Sequence, residues 1–593
     1  MSGHPAKMPT GQPHPVATAA VSNAQAAAMT AEGKEAAILD QDFYNYIFVV
    51  CGCLVAALLV WRIGAERVKF IRQLMCLNNS SQTYFTRPSE SFAAFKKHIL
   101  YAPIFKKRHN KEFQLSSAIS VGTVPTRLEL IFLLGYFGTN IAFCVVSVQW
   151  NGPLLLATQK LRNRTGILSV VNMVPLFIMA ARNNPLINWL NLSFDTFNLL
   201  HRWFGWIVVL EALVHSIATF VGAGLNGGWA AVQKGITTNA ILLWGFIATV
   251  AFVAICIQAH SIFRHAFYET FKYIHIALAI LSIIGLWYHL KLADLPQITL
   301  LYGVIGIWVA DRAIRIIRLL FRNGSGSTAV VQAMPGDACR ITINMARPWT
   351  FKAGQHAYLY LPSIGLWTSH PFSIAWSDET EKPEKLAMTR QDILSMRKAS
   401  MSFIIRGRTG FTGNLVKKAK ASPGGFTTKA FAEGPYGAVD PMTSYGTVML
   451  FAGGVGIAHQ VSYIRALVAG YANGTVATRQ VILVWIIQSP EHLEWIQPWM
   501  DSILAMEKCA DILRILLFVS QSSQEMHSPS AKVQMYPGRP NIESLIDVEI
   551  ESQIGALGVS VCGSGGLSDD VRRAVRTRQY DSNIDFIEEA YSW

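Results

Sequence analysis

Seven runs of about 20 mostly apolar residues limit what this chain can fold into: 43–62, 128–149, 165–183, 199–221, 237–258, 268–289 and 297–318. A helix needs roughly 20 such residues to cross the hydrocarbon core of a bilayer. All seven lie before about residue 320. Only 15% of the 593 residues are charged, where a soluble domain carries about a quarter. The sequence therefore predicts a membrane half followed by a half patterned like a soluble protein.

Charge gives the orientation. Nine basic residues fall between Arg62 and Lys111, among them Lys69, Arg72, Lys96 and Arg108, beside the first span. Basic loops mark the cytoplasmic side, so the loop 63–127 is expected in the cytosol and the N-terminus outside. Seven crossings then leave the C-terminus in the cytosol, and Arg312, Arg315, Arg318 and Arg322 at the end of the last span agree. This accounts for much of the +14 net charge, and no nucleic-acid partner is called for. Residues 1–40, rich in Ala, Pro, Gln and Thr, read as a disordered tail, without the apolar core of a cleaved signal peptide. The first span then serves as the targeting signal. Eight scattered cysteines form no Cys-x-x-Cys pair, which speaks against a zinc site or a disulfide framework.

Four histidines carry the chemistry of the membrane half. His201 and His215 share the fourth span, and His275 and His289 share the sixth, each pair fourteen residues apart. Fourteen residues is close to four helical turns, so both members of a pair face one way, about 21 Å apart. Both helices run from cytosol to outside. His201 is expected to pair with His275 near the cytosol, and His215 with His289 near the outer face. Paired imidazoles fill both axial positions of a haem iron, which predicts two stacked haems that pass electrons. A single intramembrane histidine is as often a packed polar residue. Four matched in spacing are not readily explained that way, because polar groups in a membrane are costly. Glu211 and Lys272 sit one turn before His215 and His275. They can orient a neighbour or meet a haem propionate, or simply be satisfied by another helix.

The second half begins after the linker Asn323-Gly-Ser-Gly-Ser327. Alternating segments at 356–361 and 401–405 read as strands. The segment 353–362, with His356, precedes His370-Pro-Phe-Ser-Ile374. Ser373 can offer a hydroxyl to a flavin, with Pro371 and Phe372 shaping the wall and Ile374 following. Arg406 and Arg408, in a glycine-containing turn before Thr412, suit a pyrophosphate. From about 445, buried strands alternate with helices, as in a parallel α/β domain. The turn Ala452-Gly-Gly-Val-Gly456 links a strand to a helix, where Gly453, Gly454 and Gly456 let a phosphate approach. Cys562, Gly563 and Gly565 follow the last apolar run, and strand ends of this kind form the ligand crevice. Cys562 can thus lie near a nicotinamide, although a lone cysteine is more often simple packing.

In this order the motifs resemble the ferric reductase and NADPH oxidase superfamily, most closely the fungal ferric/cupric reductases, over roughly residues 120–593. The resemblance rests on the histidine pairs, His370-Pro-Phe-Ser373, Glu433-Gly-Pro-Tyr-Gly437, Gly453-Gly-Val-Gly456, Cys562-Gly-Ser-Gly565 and the ending Glu588-Glu-Ala-Tyr-Ser-Trp593. It implies a membrane haem domain at 41–322, an FAD-binding domain built on a six-stranded β-barrel at 325–440, and a ferredoxin-reductase-like NAD(P)-binding α/β domain at 441–593. It implies FAD, NADPH and two b-type haems as cofactors, and Trp593 stacked on the flavin with Ser373 and Cys562 at the reacting ring. In one respect the chain departs from the family. Where relatives often carry an Arg for the 2′-phosphate of NADPH, this chain has Gln488, which leaves NADH open.

The expected activity is transfer of electrons from cytosolic NADPH, through FAD and two haems, to an extracytosolic ferric or cupric chelate. The resemblance also implies a plasma membrane location over a vacuolar one, and an iron permease and oxidase system downstream. Lys160, Arg162, Arg164, Lys234 and Lys291, with Asp294 the only acid, are expected to form a basic outer rim that attracts anionic chelates. An oxidase that makes superfluous any metal by reducing oxygen to superoxide would use the same path. A non-enzymatic membrane scaffold or channel is the third alternative.

Overall fold

The computed structural model describes residues 15–105, 110–111, 114–116, 119–120, 123–148, 150–324, 326–347, 349–366, 368–378, 400–437, 440–522, 528 and 532–589, with the backbone alone for 15–41, 114–116, 119–120, 265 and 266. Helix α1 spans Pro15–Cys76. The expected disordered tail is thus helical from Pro15 onward, and residues 1–14 lie outside the described residues. Alanine, the strongest helix former, crowds 17–37, and proline suits a first helical turn.

Among the described residues, six helices are long and apolar enough to cross a membrane: the part of α1 from Asp42 to Cys76, then α2 (Arg127–Val145), α3 (Leu154–Ala180), α4 (Phe194–Thr238), α5 (Ala240–Gln258) and α6 (Tyr268–Leu292). The seventh expected span is also a helix, α7 (Ile298–Asn323), but Asp311, Arg312, Arg315, Arg318 and Arg322 crowd its second half. Helix α4 runs well beyond its expected end and kinks at Gly228, whose φ of 72° is open to glycine. A capping box starts α2, with Thr126 and Glu129 satisfying each other's backbone N–H groups. Helix α3 packs along α4, α5 along α6, and α4 against α5, so the histidine-bearing α4 and α6 sit inside one bundle. Phe204, Ile207, Val208, Met173 and Leu301 fill its core.

Eight described strands make the next domain: β1 (Thr328–Met334), β2 (Ala338–Asn344), β3 (His356–Tyr360), β4 (His370–Ser373), β5 (Trp376–Asp378), β6 (Ser400–Arg406), β7 (Phe426–Lys429) and β8 (Phe431–Tyr436). They form a five-stranded sheet, β5-β6-β2-β1-β7, and a three-stranded one, β8-β3-β4. This differs from the six strands expected, because short edge strands complete both sheets. Alternation buries Val331, Ile341, Leu359, Phe403 and Ile405 between them, and helix α8 (Gly410–Lys420) closes one end.

The last domain is a six-stranded parallel sheet, β12-β11-β10-β9-β13-β14, built from β9 (Thr447–Gly453), β10 (Gln480–Ile487), β11 (Leu513–Val519), β12 (Val533–Pro537), β13 (Leu557–Cys562) and β14 (Ile584–Glu589). Strand order reverses at β9 and β13, the place where such sheets open a crevice. Helix α1 continues through the first basic residues of the expected loop, and its last turns together with the segment that follows lie on this domain. Lys69 pairs with Asp440, Arg72 donates to Ser444 at 2.7 Å, and Lys96 donates to the carbonyl of Ile584 at 2.7 Å and to Asp585 at 3.2 Å. Loop and C-terminal domains therefore share one side of the membrane. Lys106, Lys107 and Arg108 lie outside the described residues.

Candidate functional site

The four histidines meet as paired by spacing. Ring centroids lie 6.3 Å apart for His201 and His275, and 6.1 Å apart for His215 and His289. A metal between two imidazoles, bonded at roughly 2 Å to each ring nitrogen, places the ring centres about 6 Å apart. The gap in each pair fits one iron.

The other ring nitrogen is held in every case. Nδ1 of His201 lies 3.0 Å from the carbonyl of Leu176, Nδ1 of His215 2.8 Å from that of Arg162, and Nδ1 of His289 2.9 Å from that of Ile241. Nδ1 of His275 is 3.1 Å from the amide of Gln258. At the three carbonyl partners, an Nδ1–H donor leaves Nε2 unprotonated to bind metal and fixes the ring, while the ring of His275 is met by the amide nitrogen of Gln258. A Cβ on Gly166 would come within 2.6 Å of His215, and one on Gly245 within 2.7 Å of His289. These side chains fit haem as axial ligands. Their supports were missed in the sequence, where backbone carbonyls and helix glycines carry no signature.

Glu211 does not reach His215. It is buried and accepts from Asn172 at 2.9 Å, in a chain with Asn140 and Tyr136 that ties α2, α3 and α4 together. Lys272 is half-buried near the start of α6. At the far end, Arg164 departs from the expected rim: it is buried, donates to the carbonyls of Val146 and Phe143, and lies over the Phe43 ring. The unsatisfied carbonyls ending α2 draw it inward.

Between bundle and barrel lies a cleft, lined by Arg182, Asn183, Asn184, Phe194 and Arg318 from the bundle side and His356, Tyr358, Pro435, Tyr436 and Gly437 from the barrel. Phe194 begins α4, so His201 stands two turns, roughly 10 Å, further on. His356 pairs in register with Ser373 across β3 and β4, and Pro371 and Phe372 stand opposite Tyr358 and Ala357. His370 stacks on Phe411 at 4.8 Å and reaches within 3.6 Å of Glu269 in the first turn of α6. The His-Pro-Phe-Ser strand thus touches the helix that bears His275. Burial pushes His356 down to about 3, with Arg182 and His459 adding to the effect, so it is neutral at pH 7. Burial also lowers His370, against the pull of Glu269. Ser373 and Ile374 are buried.

The glycine turns meet at the crevice. A Cβ on Gly453 would come within 3.3 Å of the Gly563 backbone, and one on Gly456 would overlap the carbonyl of Cys562. Cys562 is buried at the end of β13, and burial raises its thiol far above the ordinary range, with Glu589 reinforcing it. It is a neutral thiol. Gly454 stays open at φ 54°. Gly565 faces the backbone of Asn110 from the loop after α2's predecessor span. Gln488, at the end of β10, accepts from Arg406 at 3.2 Å, so Arg406 sits at the seam of barrel and sheet. Thr412, in the first turn of α8, accepts from the N–H of Arg408 at 3.1 Å. Trp593 lies outside the described residues, but β14 ends four residues before it.

Three family models match in succession: a ferric reductase like transmembrane component over residues 165–286, an FAD-binding domain over 324–440, and a ferric reductase NAD binding domain over 445–576. Ferric/cupric reductase transmembrane component 2 of Saccharomyces cerevisiae is 26% identical over 542 residues, covering 83% of this chain and 71% of its own. Ferric/cupric reductase transmembrane component 1 of Candida albicans is 26% identical over 543 residues, covering 84% and 67%. Among solved structures, a ferredoxin reductase in carbazole 1,9a-dioxygenase is similar over 44% of this chain and 68% of its own, at 16% identity and a TM-score of 0.31.

Proposed function

Because the chain carries the ferric-reductase-like membrane component, the FAD-binding domain and the ferric reductase NAD-binding domain in that order, and resembles fungal ferric/cupric reductases over most of its length, we propose that it is an NADPH-driven reductase of extracytosolic ferric or cupric chelates. The observation that carries this reading is the pair of histidine pairs, one above the other, beneath a cleft shared with the flavin-type barrel.

Bound FAD and haem supply the redox chemistry: flavin takes a hydride, and iron passes single electrons. The protein orients them. Gly454 leaves the turn open for the nucleotide phosphates, while Gly453 and Gly456 let β9 and β13 approach closely there. Ser373, opposite His356, offers a hydroxyl at the slot. Neutral Cys562 packs beside the glycine turns without adding charge where a nicotinamide would lie. His201 and His275 would hold the inner haem and His215 and His289 the outer one, with Nδ1 of each ring met from a neighbouring helix. Lys160, Arg162, Lys234 and Lys291 form the basic rim on the outer side, Arg164 being withdrawn. The plasma membrane, with the C-terminal domains in the cytosol, is the location this reading calls for, and an iron uptake system the consumer of its product.

Anaerobic stopped-flow absorbance on the purified, FAD-loaded protein tests it. NADPH should reduce the haem bands, and ferric citrate should then reoxidise them. Reoxidation by oxygen alone would turn the protein into a superoxide-forming oxidase, and absence of a haem band would remove the electron path.

A further inference from the structure

We propose that Glu433 is a positioning residue that locks the flavin slot of the barrel onto the cytosolic ends of the membrane helices, and thereby sets the rate at which electrons pass from the slot to the His201/His275 pair. The inference rests on the electron path proposed above. Glu433 belongs to the Glu-Gly-Pro-Tyr-Gly motif, to which the reductase reading gives no role.

Its carboxylate is 1% exposed and fully engaged. Arg315 of α7 donates through Nε at 2.8 Å and through Nη2 at 3.3 Å, a two-pronged pair. Arg182, just past the end of α3, donates at 3.3 Å. From the barrel, the hydroxyl of Tyr360 donates at 2.7 Å and that of Tyr436 at 2.6 Å. Five bonds converge on two oxygens, from α7, the segment that follows α3 and two strands. The residue before it is tied to the same helix: the amide of Asn323, at the end of α7, donates to the carbonyl of Ala432 and accepts from its N–H, both at 2.9 Å.

The position explains why this matters to the electron path. Arg182 and Tyr436 line opposite walls of the cleft, one from the bundle and one from the barrel, and Glu433 holds both. Arg182 in turn stacks on Tyr358, 3.5 Å from the ring centre. A buried carboxylate that loses its cations, or cations that lose their carboxylate, cost far more than a surface pair. The seam therefore has one arrangement. Electron tunnelling falls steeply with distance, so a small slip at this seam slows transfer without touching the nucleotide crevice.

The test is anaerobic stopped-flow on the full FAD- and haem-loaded chain, following flavin bleaching and haem reduction separately after mixing with NADPH. In Glu433→Ala, flavin bleaching should stay within about twofold of the parent while haem reduction slows about tenfold or more. Glu433→Gln, which keeps the shape and loses the charge, should fall between. Arg182→Gln, which leaves the Arg315 pair intact, should show a smaller loss in the same step and covers the case in which Glu433→Ala fails to fold. Unchanged haem reduction in these variants overturns the proposal, as does slowing of both steps in equal proportion with loss of FAD, which would mark Glu433 as a general stabiliser. A parent chain without a haem band overturns the electron path itself.

Discussion

His215 rests against Gly166 so closely that a Cβ there would stand 2.6 Å from Nδ1 of the imidazole. That nitrogen bonds the carbonyl of Arg162, one turn before the glycine on α3. The same arrangement recurs on α5, where Gly245 backs His289 and Ile241, one turn earlier, accepts from it. Glycine inside a helix costs about 1 kcal/mol relative to alanine, so two at matching places need a reason, and seating the outer imidazoles provides one. Gly166→Ala should displace His215 and perturb the outer haem, while the inner one, held from Leu176 and Gln258, stays. The expected result is a fall in haem per chain from about two toward one, or an altered low-spin EPR signal for one haem only. Two unchanged haem signals would sink the idea.

Replacement of one histidine tests the pairing. His275→Ala should remove the inner haem and block reduction of the outer one by NADPH, although dithionite still reduces it. His289→Ala should leave NADPH reduction of the inner haem intact and abolish ferric reduction. Pyridine haemochrome content and stopped-flow spectra separate the two. This pairing was legible in the sequence, because a fourteen-residue spacing fixes a helix face whatever the loops do. Three of the four partners of Nδ1 were not, since a backbone carbonyl leaves no mark on residue type.

The basic loop shows the opposite case. Its charges were readable as a marker of the cytosolic side, yet that reading misses where they go. Lys96 is 1% exposed and reaches Asp585, which Arg72 also approaches at 3.8 Å and Tyr445 bonds at 3.0 Å. Burial would raise this carboxyl, but Lys96 and Arg72 hold it below the ordinary range. The partners are nearly 500 residues apart in sequence, a relationship that only the folded chain reveals. Removing one member of a buried pair typically costs about 3–5 kcal/mol. Lys96→Met should therefore lower the melting temperature of the nucleotide domain and expose β14 to proteolysis. Unaltered melting would reduce the loop to a passive cover.

Acid should loosen the seam between barrel and bundle. Burial lowers His356, in the cleft, to about 3, and His459, on the helix Ile457–Ala472 of the nucleotide domain, to about 4, both from an ordinary 6.5. Each takes up a proton on unfolding, so the stability from keeping them neutral is complete above about pH 6.5 and is lost as pH falls toward those values. For Glu433, burial alone would raise the carboxyl, but Arg315 and Arg182 bring it to about 2 from an ordinary 4.5. Its share is complete above 4.5 and lost below. The signs agree. Thermal unfolding followed by flavin fluorescence should be flat above pH 6.5 and fall steadily from there to pH 4, and His356→Gln should flatten the upper part of that fall. A stability that rises on acidification would contradict the assignment.

Nucleotide choice turns on Gln488. The glycine turns were legible because strand, turn and helix follow each other locally, and β9 and β13 prove to be neighbours. What the sequence did not show is that Arg406, expected at a pyrophosphate, lies 3.2 Å from Gln488 across the seam. A neutral amide gives a 2′-phosphate hydrogen bonds without charge, and the Arg406 guanidinium is engaged with that amide. Gln488→Arg would place a second cation at this corner and release Arg406 from its present partner. A charge-assisted pair is worth roughly twice a neutral hydrogen bond, and a gain of about 1.4 kcal/mol is tenfold in affinity. The NADPH to NADH ratio of kcat/KM should rise about tenfold, through KM for NADPH, with NADH little changed. If the ratio stays where it was, the 2′-phosphate does not bind at this corner, and discrimination rests elsewhere in the crevice.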